Sequence, residues 1–191
     1  FADLLSTALH NAFVFQKMQQ HAITDGLTGI KTRRYFSESL SSEWKRASRS
    51  GRPFSVVLID LDKFKEVNDG LGHLEGDLVL ARVGRLLEQK SRQSNVVARY
   101  GGDEFAIVVP ETTGESAVRV AEKLRRQVET HFFPGVPRPV TISCGVADYP
   151  AHGVTRDEVV AAADAALYQA KQLGRNKVAS ADMKKEYSAS R

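Results

Sequence analysis

Two acidic stretches hold most of the chemistry this sequence can offer. One is Asp60-Leu61-Asp62-Lys63-Phe64-Lys65, at the end of the apolar run Phe54–Ile59. The other is Arg99-Tyr100-Gly101-Gly102-Asp103-Glu104-Phe105, set between apolar runs at 96–98 and 105–109. Two β-prone runs around Gly-Gly and a pair of acids predict a β-hairpin with carboxylates at its tip. Glycines there admit positive φ and the close approach of a ligand or a second backbone. Read singly, the hairpin acids are also compatible with a solvated turn, and Asp60 and Asp62 with a turn or helix cap. Read together, the end of the 54–60 strand should lie beside the hairpin, so that Asp60, Asp103 and Glu104 form a carboxylate cluster. Such a cluster is costly unless a hard divalent cation neutralises it, and oxygen-only ligands select Mg²⁺ or Mn²⁺. Lys63 and Lys65 offer positive charge for a polyphosphate at the same place, to which Lys171 and Arg175 would add if the fold brings them near. Metal and polyphosphate together point to phosphoryl or nucleotidyl transfer.

Other chemistries are excluded. In an EF-hand reading from Asp60, Lys65 falls where that loop needs Gly and Leu71 where it needs Glu. No Gly-x4-Gly-Lys-Ser/Thr occurs, which argues against a P-loop NTPase. Cys144 is the only cysteine, so there is neither a disulfide framework nor a thiolate zinc site; it reads as a small core residue. A net charge of +4 suits an anionic ligand but is too weak for a nucleic-acid duplex, and no nucleic-acid partner is expected. The 42% hydrophobic and 26% charged content is that of a soluble globular domain, and no apolar run approaches a membrane span. The first residue is Phe1 rather than Met, so the chain reads as a piece of a longer protein. A cytoplasmic domain is expected, with room for a membrane attachment upstream.

The elements that must position these residues follow from periodicity. Residues 1–23 read as one helix with a heptad-like seam (Leu5, Ala12, Gln19; Ala8, Phe15, Ala22), either a dimerising signalling stalk or an amphipathic helix lying on its own domain. Thr24 to Gly29 marks a domain boundary, and a helix is predicted over about 35–49 with Phe36, Leu40 and Trp44 on one face. The unbroken apolar run 54–59 predicts a central strand covered on both faces. The polar, Gly-rich run 67–77 reads as a loop entering a helix at about 78–89. There Asn68 and Asp77 provide an amide and a carboxylate, a sensible reader of guanine N1–H and its exocyclic amine. Further helices are predicted over 115–131 and 155–173, and a strand over 140–146. The coarse order β-α-α-β-β-α-β-α predicts a mixed α/β layer fold over 24–180, followed by a polar tail at 181–191.

Gly101-Gly102-Asp103-Glu104-Phe105 resembles the signature of the GGDEF family, the catalytic domains of diguanylate cyclases, and the resemblance extends over about residues 24–179. It implies a palm-like mixed central sheet flanked by helices, an α+β sandwich similar to class III nucleotide cyclases. It implies Asp60, the Leu61 carbonyl, Glu104 and Asp103 as metal ligands, with Asp103 also beside the attacking 3′-OH. By the same resemblance Lys63, Phe64, Lys171 and Arg175 cradle phosphates and Lys65 stabilises transition-state charge. Asn68 and Asp77 read guanine, with His73 close to the nucleotide. The implied activity joins two GTP into cyclic di-GMP across a homodimer, under an upstream sensor domain. The alternatives are a non-catalytic receptor for GTP or a cyclic dinucleotide that signals through the stalk, and a cyclase of mixed GTP/ATP use.

Two departures from the family pattern stand out. Thr32 precedes Arg33-Arg34 where relatives commonly carry Asn, a change expected to touch linker geometry alone. More consequentially, the product-binding inhibitory motif Arg-x-x-Asp reads Arg92-Gln93-Ser94-Asn95, which removes its carboxylate and predicts weak product inhibition.

Overall fold

The computed structural model describes residues 23–181. The expected stalk at 1–23 lies outside the described residues except for Ile23, and the expected tail at 181–191 except for Ala181. The elements are β1 (Lys31–Thr32), α1 (Arg33–Ser50), β2 (Phe54–Leu61), α2 (Phe64–Leu71), α3 (His73–Lys90), β3 (Val96–Arg99), β4 (Glu104–Pro110), α4 (Gly114–Glu129), β5 (Ile142–Tyr149), α5 (Arg156–Gln172) and β6 (Val178–Ser180). They form one six-stranded mixed sheet in the order β1-β3-β4-β2-β5-β6, with helices on both faces.

β2 is the centre of the sheet, antiparallel to β4 on one side and β5 on the other. Its unbroken apolar run has a physical reason: both faces are covered. Val57, Ile59 and Leu61 pack with α3 and α4, whereas Val56 and Leu58 pack with α1 and α5. Polar alternation would leave unpaired groups in one of those layers. The α4 stripe of Ala117, Ala121, Leu124 and Val128 is buried as its spacing predicts. Thr32 caps α1, its hydroxyl accepting from the Tyr35 N–H, so this departure from the family pattern is still a competent N-cap.

Several boundaries move. The run 67–77 is helix rather than loop: α2 ends at Leu71, Gly72 turns the chain at φ +87°, and α3 begins at His73. Its glycines suggest a loop, but Val67, Val79 and Leu80 carry a stripe onto the core that overrides propensity. The 140–146 strand is β5, over Ile142–Tyr149, and the helix expected to reach His131 ends at Glu129. The short edge strands β1 and β6 carry too little pattern to stand out in sequence. Among the described residues, no helix is long and apolar enough to cross a membrane.

β5 and α5 approach unusually closely at Gly145, where a Cβ would overlap the Ala163 carbonyl oxygen and the Leu167 amide nitrogen. Backbone cannot yield as a flexible side chain does. Gly145→Ala should destabilise the domain by at least about 2 kcal/mol in urea unfolding. Gly70→Ala, in α2 with open space around it, should instead stabilise by about 0.5 kcal/mol or more.

Candidate active site

The register of the sheet builds the site. Asp60 is the cross-strand partner of Glu104, and the Leu61 N–H donates to the Asp103 carbonyl at 3.2 Å. The predicted juxtaposition of the 54–60 strand end and the hairpin is therefore present. β3 and β4 form that hairpin, with Arg99 opposite Phe105. Its tip is held from several sides. The Arg99 guanidinium donates to the Gly102 carbonyl at 2.8 and 3.1 Å and reaches Asp25 at 3.4 Å. Asp25 also accepts from Thr28 N–H at 2.8 Å and Thr28 Oγ1 at 2.6 Å. Burial pushes the Asp25 pKa up, but these bonds and the Arg99 charge outweigh it and hold the carboxyl below its ordinary value. The Arg33 guanidinium lies 4.5 Å above the Tyr100 ring, which packs edge-on against Phe36. The entry segment and α1 thus grip the residues just before the signature. At Gly101 a Cβ would stand 2.6 Å from Glu104 Oε2, so a side chain there would push that carboxylate from its present place.

Electrostatics at the strand end are unbalanced. Burial raises the pKa of half-buried Asp60, and the neighbouring Asp103 and Glu104 charges add to the rise against the opposing pull of Lys171. Lys171, near the end of α5, places Nζ 2.7 Å from Asp60 Oδ2. A basic residue at a helix C-terminus needs only the helix dipole to explain it; this one is also the counter-ion of the site. Among the described residues, no three acidic, imidazole or thiolate groups converge in a metal-holding arrangement. The expected cluster is a neighbourhood of like charges held apart, with an ammonium already on one of them. The donor set still fits a hard cation: carboxylates of Asp60, Asp103 and Glu104 with the Leu61 carbonyl are all oxygen.

Beside the strand end is a helix start. Lys63 sits at φ +57° ahead of α2, with no side chain capping the N–H groups of Phe64 and Lys65. Its ammonium is 3.3 Å from Glu66, and Arg138 bridges Glu66 Oε2 (2.8 Å) and the Lys63 carbonyl (3.1 Å). Lys65 is exposed. Asn68, in α2, lies against the first turn of α3, where a Cβ at Gly76 would overlap its Oδ1. His73 and Asp77 are exposed on that same turn. Arg175, exposed at φ +61°, follows α5.

Comparison with known proteins completes the picture. The family described as diguanylate cyclase, GGDEF domain, matches residues 22–177. The chain belongs to the GGDEF family. It is 35% identical over 182 residues to Diguanylate cyclase A of Treponema denticola, covering 93% of this chain and 48% of that protein. It is 42% identical over 161 residues to the response regulator PleD of Caulobacter vibrioides, covering 82% and 36%. The chain thus spans half or less of the length of these curated relatives. Among solved structures, the coiled coil and GGDEF domain of DgcB from Caulobacter crescentus, in complex with c-di-GMP, aligns with TM-score 0.79 at 29% identity, covering 94% and 96%. The GGDEF domain of YfiN from Pseudomonas aeruginosa aligns with TM-score 0.77 at 33% identity, covering 82% and 99%.

Within this GGDEF domain, Arg92 and Asn95 lie apart from the strand end. They line a groove of about 480 Å³ with Lys90, Arg119 and Lys123. Sequence reasoning missed Asp25, Arg99 and Arg138, whose roles depend on partners far along the chain. It read Asp62 only with Asp60, as a strand-end acid or a turn or cap residue, and gave no role to Asn176.

Because folding raises the Asp60 pKa, the folded state holds that proton more readily than the unfolded chain. Its contribution favours the fold in acid and becomes a cost as pH rises through the raised value. Asp60→Asn should therefore raise the melting temperature at pH 7 and lose that advantage towards pH 4 in a pH series of thermal melts. A lower melting temperature at pH 7 would refute the cost of burying the ionised Asp60 carboxylate.

Proposed function

We propose that this domain is a diguanylate cyclase, joining two GTP into cyclic di-GMP with release of two pyrophosphates at a homodimer interface. The observation that carries the reading is the cross-strand pairing of Asp60 with Glu104 beside Asp103, with Lys171 as the counter-charge. Homologues named as diguanylate cyclases and a related domain bound to c-di-GMP support it.

In this reading Asp60, the Leu61 carbonyl, Asp103 and Glu104 hold Mg²⁺ or Mn²⁺. The bound ion supplies charge neutralisation at the triphosphate. Asp103 lies beside the attacking 3′-OH and takes its proton. The 3′-oxygen forms a bond to the α-phosphorus of the opposing GTP, the bond to the β-phosphate oxygen breaks, and pyrophosphate leaves. The same exchange at the second centre closes the ring. One domain cannot present both nucleotides to each other, so two copies must face. Lys65 stabilises developing charge, and the backbone N–H groups of Lys63 and Phe64 donate to phosphate oxygens at the start of α2. With a cation held at Asp60, Lys171 would be free to pair with the triphosphate, and Arg175 would add a second positive charge. Asn68 and Asp77 read guanine. A carboxylate at 77 accepts from guanine N1–H and repels the lone pair of adenine N1, which favours GTP over ATP.

The test is incubation with GTP, ATP or both, plus Mg²⁺, with products identified by mass. Cyclic di-GMP from GTP alone is expected, and Glu104→Gln should lower turnover by about two to three orders of magnitude. Bound GTP without product, at high protein concentration and in a forced dimer, would make the domain a receptor instead.

Product inhibition should be weak, because the Asn95 amide replaces a carboxylate that would orient Arg92 or accept from guanine. Asn95→Asp should tighten cyclic di-GMP binding by about tenfold or more in calorimetry. A tight product complex in the unaltered domain, lost in Arg92→Ala, would contradict this.

A further inference from the structure

One buried carboxylate beside the site has no role in the chemistry above. Asp62 is 9% exposed and follows directly on Asp60 and Leu61. Its Oδ1 accepts from Ser143 Oγ at 2.6 Å, and its Oδ2 accepts from Thr141 Oγ1 at 2.7 Å and from the Asn176 N–H at 2.9 Å. Asn176 is in turn pinned through its side chain. Oδ1 accepts from Arg125 Nη1 at 2.6 Å, and Nδ2 donates to Glu129 Oε1 at 2.6 Å. Arg125 is itself nearly buried and is clamped by Glu122 (2.8 and 2.9 Å) and Glu129 (2.8 Å). The hydrogen-bonded set joins the end of β2, the start of β5, α4 and the turn after α5.

That turn is unusual. Gly174, Arg175 and Asn176 stand at φ +103°, +61° and +48°, three left-handed residues in succession. Glycine tolerates this region and asparagine is enriched in it, whereas an arginine there is uncommon and persists where its surroundings fix it. Arg175 N–H donates to the Ala170 carbonyl at 3.1 Å, and on its other side Asn176 is fixed by bonds from its N–H and from both polar atoms of its side chain. Lys171, which pairs with Asp60, is four residues back along the same segment. A surface turn that needed only to end a helix would not require a buried arginine and a buried aspartate to hold one asparagine.

We propose that Asn176 is a positioning residue. Held by Asp62 and Arg125, it sets the left-handed backbone of Arg175 and fixes where that guanidinium meets the phosphates relative to the strand end at Asp60. The inference rests on Arg175 acting as a phosphate ligand, as in the reading above. It makes Asp62 part of the positioning frame rather than a metal ligand. Its role is to tie the phosphate-binding turn to the strand that presents Asp60 and Leu61.

The test compares Asn176→Ala and Asn176→Gly in the whole chain. Glycine keeps the left-handed backbone and drops only the side-chain bonds; alanine loses both. Affinity is measured for α,β-methylene GTP, which carries the triphosphate without turning over, and for GMP, which probes base reading. The alanine variant should bind the triphosphate analogue about tenfold more weakly, the glycine variant should fall between, and GMP affinity should stay unchanged in both. Equal weakening for both ligands would mean a general folding defect and overturn the inference, as would no change for either. If the unaltered chain binds neither nucleotide, the cyclase reading falls and takes this inference with it.

Discussion

Everything at this site depends on one antiparallel register. Pairing β2 with β4 sets Asp60 opposite Glu104 and leaves Asp103 at the mouth of the same two strands. A carboxylate at this strand end is unfavourable, and the Asp60 pKa is raised first by burial and then by the neighbouring Asp103 and Glu104 charges. A slip of one residue would turn Asp60 into the opposite layer and break the arrangement. The register is fixed by packing in the two apolar layers on either side of β2, because a slip would exchange side chains between layers shaped for different ones. Hydrophobic burial thus holds together a group of charges that would not associate on their own.

The remaining elements supply the opposite charge and hold the geometry. α5 delivers Lys171 to Asp60, and the turn after it carries Arg175. α2 offers uncapped N–H groups at its start, with Arg138 from the segment between α4 and β5 steadying Lys63. The hairpin tip is fastened through Arg99 to the entry segment at Asp25, so the point where the chain enters the domain is two contacts away from the signature acids. Binding groups therefore come from strand ends and helix ends, while the layers behind them are almost wholly apolar.

Much of this was legible in sequence, for identifiable reasons. The central strand announced itself by an unbroken apolar run, the hairpin by Gly101-Gly102 between two such runs, and α4 by its spacing of Ala117, Ala121, Leu124 and Val128. Lys171 and Arg175 could be placed near the acids only through resemblance to a family, because no local pattern links residues more than a hundred positions from Asp60. Asp62 was visible as an acid, but its burial under Thr141, Ser143 and Asn176 comes from tertiary contacts alone. The glycines of 67–77 misled because local propensity was outweighed by packing onto the core. The expected carboxylate cluster is present only as a neighbourhood, with Asp60 paired across the strands to Glu104 and no three acids converging among the described residues; the ammonium of Lys171 was expected among phosphates, and here it sits on Asp60.

That exchange of counter-ions is the centre of the account. The most direct measurement is Mn²⁺ binding followed by electron paramagnetic resonance, without nucleotide and with α,β-methylene GTP, in the unaltered domain and in Lys171→Met. If Lys171 and the cation compete for Asp60, removing the ammonium should tighten binding of bare Mn²⁺ while weakening binding of the nucleotide analogue. Unchanged Mn²⁺ affinity in Lys171→Met, or Mn²⁺ binding that survives Asp60→Asn and Glu104→Gln, would contradict it.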